Sequence, residues 1–124
     1  MQYLLLIYTD EALIDGLDEG EYDTMMRGCL EHADALQAQG TLLGFQQLEP
    51  ASAAKTVRTR GGRTQVFDGP FAETKEMLAG FNLIEADSEE DALRIAREFP
   101  WARTGSIEVR PVRDVAQVRA RVGA

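Results

Sequence analysis

Gln2 to Tyr8 (QYLLLIY) is a short, almost unbroken apolar run rich in β-forming residues, with polar residues after it. Such a run predicts a strand covered on both faces, and therefore a central one. The period then changes. Between about Glu19 and Gln39, Tyr22, Met25, Met26, Cys29, Ala33 and Leu36 recur at spacings of three and four, which predicts an amphipathic helix, and Gly40 suits its C-terminal cap. Thr41 to Leu48 reads as a second strand ended by Pro50. Thr56 to Thr59 and Thr64 to Phe67 flank Arg60-Gly61-Gly62-Arg63, and Gly-Gly accepts the positive φ of a tight turn, so these form a hairpin. Phe81 to Ala86 predicts a further strand. Ser88-Glu89-Glu90-Asp91 resembles a capping box, ahead of a stripe of Ala92, Ile95, Ala96 and Phe99 that Pro100 stops. Ser106 to Val112 alternates Ile107 and Val109 with Glu108 and Arg110, and Pro111 either puts this last strand at a sheet edge or ends it.

The order is β-α-β, an inserted β-hairpin, then β-α-β, which matches the ferredoxin-like α+β pattern. Residues 1–112 make one domain, and residues 113–124 a polar tail whose Val115, Val118 and Val122 keep helical spacing. Both long helices should cover one face of an antiparallel sheet. The strands are too apolar to leave the other face wet, so a homodimer is expected.

Charge changes this picture in two places. The net charge is −8, from 13 basic and 21 acidic residues, which opposes nucleic acid as a partner. Asp10, Glu11, Asp15, Asp18, Glu19, Glu21 and Asp23 crowd one early segment, whereas Arg58, Arg60 and Arg63 share one hairpin face. No apolar run is long enough to span a bilayer and no signal-like segment opens the chain, so a cytoplasmic protein is expected. One cysteine and one histidine supply no zinc constellation, and there is no Gly-rich phosphate loop, so neither metal nor cofactor is expected.

Val66 to Glu76 (VFDGPFAETKE) is the least ordinary string. Asp68-Gly69-Pro70 has the chemistry of a turn. Phe71, Glu73 and Lys75 after it, on one side of an extended segment, are residue types that a small polar-ligand pocket uses for packing and orientation. DGPFAETKE, together with the opening YLLLIY and the closing SIEVRPV, resembles the DGPF subgroup of the YCII-related family, over about Met1 to Val112. The resemblance implies a dimeric ferredoxin-like α+β barrel and genes that accompany extracytoplasmic-function sigma factors, and leaves the activity open. Other YCII-like members carry a His and an Asp proposed as an acid/base dyad, the His lying eleven residues before the glycine that ends the first helix. Counted back from Gly40, that position is Cys29, so the dyad does not carry over intact.

Histidine titrates nearest neutrality of all side chains, which makes His32 the general base if there is one, although an imidazole flanking an apolar stripe also serves simply as packing. Cys29 lies inside the stripe and reads as a small buried hydrophobe. Glu108 and Arg110 share the face away from Ile107 and Val109, as a structural ion pair or an anion site. Two functions are therefore carried forward. The first is a cofactor-independent acid/base enzyme acting on a small anionic metabolite, with Asp68 or His32 moving the proton and Arg110, Glu108, Phe71, Glu73 and Lys75 binding. The second is a non-catalytic ligand-sensing or interaction module associated with a sigma factor.

Overall fold

The computed structural model describes residues 1–124. Strand β1 (Gln2–Asp10) leads into a short helix α1 (Glu11–Asp15) and a long helix α2 (Glu21–Ala38). Strand β2 (Leu42–Gln47) follows, then the hairpin β3 (Lys55–Arg60) and β4 (Arg63–Asp68), strand β5 (Glu76–Glu85), helix α3 (Glu89–Arg97), strand β6 (Gly105–Pro111) and helix α4 (Val115–Val122). Four strands form one antiparallel sheet in the order β2-β5-β1-β6, so β1 is central and β6 an edge, as the apolar run and Pro111 predicted. This is the ferredoxin-like arrangement.

Alternation along β1 and β5 divides the sheet into two faces. Tyr3, Leu5, Ile7 and Ile84 point inward and are buried against Met25, Cys29, Ala33 and Leu36 of α2 and Ala92, Ile95 and Ala96 of α3, with Phe99 and Trp101 after α3. Ile107 and Val109 of β6 pack against the same core. α2 ends where Gly40, at φ 79°, lets Thr41 donate to Leu36 and Gly40 itself to Gln37, the paired bonds of a glycine-terminated helix. Ser88 accepts from the Asp91 backbone N–H and caps α3.

The hairpin keeps the expected register, Arg60 opposite Arg63 and Arg58 opposite Gln65, but forms a separate two-stranded sheet. Three elements differ from the sequence reading. β5 begins at Glu76 rather than Phe81, because pairing with β1 extends it to Glu76 opposite Asp10. α1 follows directly on β1, capped by the buried Asp10, whose carboxylate accepts from the Ala12 N–H at 3.0 Å. Pro100 ends α3 but also opens a 3-10 turn, Pro100–Arg103, that carries Trp101 into the core. The segment 71–75, expected to be extended, is bent, with Phe71 79% exposed.

Candidate functional site

A concavity lies on the helix-covered side of the sheet, where α2 stands off from β5 and β2. Tyr22, Met26 and Cys29, spaced by four and three residues, put one face of α2 over it. Ile7 and Thr9 of β1 and Gly80 and Asn82 of β5 form its floor, Phe45 and Leu48 one side, and Ile14 and Trp101 close it. The volume is about 490 Å³, within the range of small-molecule sites. Gly80 is required here, because a β-carbon would lie 2.7 Å from the Gln46 carbonyl oxygen and push β2 away. The Tyr22 and Trp101 rings meet at 5.6 Å and 45° and form an aromatic wall.

Two polar side chains are buried at this cavity. Asn82 is 4% exposed and its Nδ2 has no hydrogen-bond partner. Cys29 is 7% exposed, and burial pushes its thiol up from the ordinary value while a hydrogen bond with Trp101 acts weakly the other way, so the sulfur is a neutral thiol. Position 29, where the resemblance would place the dyad histidine, therefore does line the cavity, but with a group unsuited to take a proton at neutral pH. The only ionisable carboxylates lining it are Glu11 and Glu49, and its lining holds no lysine, arginine or histidine.

The residues singled out from the sequence fall in three other places. His32 lies in a second, polar cavity of about 300 Å³ between α2 and α3, with Asp91, Arg94 and Glu98. Its ring packs edge-on against Phe99 at 4.5 Å, and its Nε2 lies 3.3 Å from a Glu98 oxygen without the alignment of a hydrogen bond. The Arg94 guanidinium holds the neighbouring Asp91 carboxyl below its ordinary range. Asp68 is at the base of the hairpin in an exposed ion pair with Lys55. Lys75 reaches back to Asp10 at 3.5 Å, while Glu73 and Phe71 point into solvent. Glu108 and Arg110 occupy the open face of the sheet, where an Arg110 N–H donates to Glu108 at 2.7 Å and the Tyr8 hydroxyl reaches the other carboxylate oxygen at 3.5 Å. Asp68 and His32 thus line no common cavity. No group of three or more His, Cys, Asp or Glu side chains could hold a metal ion, and no helix is long and apolar enough to cross a membrane.

Sequence reasoning passed over Asn82, although a signal was present: in Phe81-Asn82-Leu83-Ile84 an amide takes the parity that Ile84 uses to enter the core. A polar residue at a core position needs a partner.

The family model of the YCII-related domain matches residues 1–116. The chain belongs to the YCII-related family. This YCII-related chain is 41% identical over 114 residues to an uncharacterized protein of Rhizobium meliloti (strain 1021), with 90% of this chain and 92% of that one covered. Among solved structures it is similar to 5-chloro-2-hydroxyhydroquinone dehydrochlorinase from Burkholderia phenoliruptrix AC1100 in complex with 2,5-dihydroxybenzoquinone. That likeness has a TM-score of 0.46 and 13% identity, over 91% of this chain and 94% of the other.

Proposed function

We propose that this YCII-related chain is a small-molecule-binding module whose site is the cavity beneath α2, working as a homodimer joined through the open face of the sheet. The binding reading is carried by one observation: the cavity is walled by apolar and aromatic side chains around a buried, unpartnered amide, and the expected proton carriers Asp68 and His32 lie elsewhere. An acid/base enzyme needs a titrating group within reach of its ligand, and the neutral thiol of Cys29 is a poor one. A sensor needs only a difference in affinity between two states.

The dimer reading rests on the other face. Leu4 and Leu6 of β1 lie beside Leu83 and Phe81 of β5 and, on the other flank, beside Arg110 and Glu108 of β6. A four-stranded sheet with such a face needs a cover, and a second copy related by a two-fold axis gives a closed, barrel-like one. Arg110 and Glu108 then hold each other as an ion pair at that interface, rather than awaiting an anion. We assign the chain to the DGPF subgroup on Asp68-Gly69-Pro70-Phe71, and with that assignment goes a partner system built on an extracytoplasmic-function sigma factor.

A thermal-shift screen of small metabolites tests the site, because a ligand that binds only the folded state raises the melting temperature. Hits should vanish in Cys29→Phe, which fills the cavity, and persist in Arg110→Ala. Hits that survive Cys29→Phe and are lost in Arg110→Ala would move the site to the open face.

A further inference from the structure

The chemistry of the cavity narrows the ligand, on the reading that this cavity is the binding site. Three observations act together. Asn82, opposite Leu5 and Phe45 on the neighbouring strands, is at the floor with its Nδ2 buried and without a partner, and a turn of the amide about its terminal bond presents that donor to the cavity. A buried donor left unmade is costly, and an acceptor oxygen placed against it recovers that loss. The walls offer aromatic and aliphatic surface from Tyr22, Trp101, Phe45, Ile7 and Met26, which suits a flat hydrocarbon ring system. The charged residues that line the cavity have one sign: Glu11 and Glu49 line it, no cation does, and the whole chain carries −8. An anion entering there would lose its hydration and meet only carboxylates. An ammonium group would gain from the carboxylates but leave the Asn82 donor facing no acceptor.

We infer that the cavity selects uncharged, ring-containing molecules that carry a carbonyl-type oxygen, with that oxygen seated on Asn82 Nδ2. This replaces the anionic metabolite expected from Arg110, whose guanidinium is held by Glu108 on the opposite face of the sheet. It also gives Asn82 a role in selection rather than in packing. A hydrogen-bonding site discriminates strongly against an isosteric molecule that lacks the bonding group, since the protein's own buried group is then left unpaired.

Three probes of nearly one shape separate these terms: 2-acetonaphthone, uncharged with an acceptor; 2-ethylnaphthalene, uncharged without one; and 2-naphthoate, an anion. Equilibrium dialysis against the full chain should rank acetonaphthone first, at least about fivefold tighter than ethylnaphthalene, in keeping with one net hydrogen bond, with naphthoate weakest. In Asn82→Leu, which keeps the branched shape and removes the donor, the preference of acetonaphthone over ethylnaphthalene should disappear. If Asn82→Leu melts too low to assay, Asn82→Ala removes the same donor and should also abolish the preference. Naphthoate binding as tightly as acetonaphthone, no binding of acetonaphthone, or a preference unaltered in both variants would overturn the inference. The two readings fail differently: probe binding that is lost in Cys29→Phe but led by naphthoate keeps the cavity and removes the uncharged class, whereas probe binding indifferent to Cys29→Phe removes the cavity itself.

Discussion

The two faces of one sheet meet opposite fates in this chain, although the strands supply both with apolar side chains. Leu5 and Leu6 are neighbours on β1, yet Leu5 is wholly buried under the helices and Leu6 lies half-buried on the open side. On the helix side Asn82 is enclosed and unpartnered; on the open side Arg110 and Tyr8 both bond Glu108. A closed polar cluster spends its hydrogen bonds internally and fits an interface, while an open-ended donor in an apolar cavity fits a ligand. The comparison thus distinguishes a surface for a second copy from a site for a small molecule, without reference to which residues look most reactive.

The largest effect that tests this contrast is in the core. Leu5→Ala should cost about 2–5 kcal/mol in chemical denaturation, as expected of a fully enclosed leucine. Leu6→Ala, measured at concentrations that keep the chain monomeric, should cost about 1 kcal/mol. Equal costs would mean that the open face is already part of a monomer core. Next is Gly105→Ala. A β-carbon at Gly105 would lie 1.9 Å from the Tyr8 carbonyl oxygen, so β6 must part from β1, with a loss of about 3 kcal/mol. Because β6 bears Glu108 and Arg110, that variant should impair dimerisation in sedimentation more than it impairs ligand binding.

Arg110→Lys is a smaller perturbation and sharpens the division further. Lysine keeps the charge and loses the planar guanidinium that donates to Glu108, so the dimer dissociation constant should rise several-fold while ligand affinity stays unchanged. A fall in affinity with an intact dimer would return Arg110 to the binding site. The smallest effect concerns Cys29, whose thiol is raised by burial. A folded-state value above the unfolded one means that the contribution of this group to stability is complete below the unfolded thiol value and is lost as pH rises through the folded one. Disulfide-reagent labelling of Cys29 should accordingly be slow at pH 8 compared with the unfolded chain, and a bound cavity ligand should slow it further.

Much of the fold was legible because its signals are local. The unbroken QYLLLIY run, the three-four spacing in α2, the Ser88 cap and the Gly61-Gly62 turn each act within a few residues, and each gave the element observed. What was missed depends on distant partners. β5 reaches back to Glu76 because β1 is there to pair with it, and α1 forms because Asp10 is held in the core end of β1. The cavity was illegible for the same reason, being assembled from three strands, two helices and the turn that bears Trp101. The residues with the most conspicuous chemistry, His32, Asp68 and the Phe71-Glu73-Lys75 string, drew attention by type, whereas Asn82 mattered by parity, as an amide where the strand pattern calls for an apolar side chain.

The most direct test of the central claim is a chemical-shift map of the isotopically labelled chain titrated with 2-acetonaphthone. The account predicts that the Asn82 side-chain amide, the Trp101 indole N–H and the Cys29 backbone amide move together and saturate together, while Tyr8, Glu108 and Arg110 hold still. Saturable shifts confined to Tyr8, Glu108 and Arg110, with Asn82 and Trp101 unmoved, would contradict it.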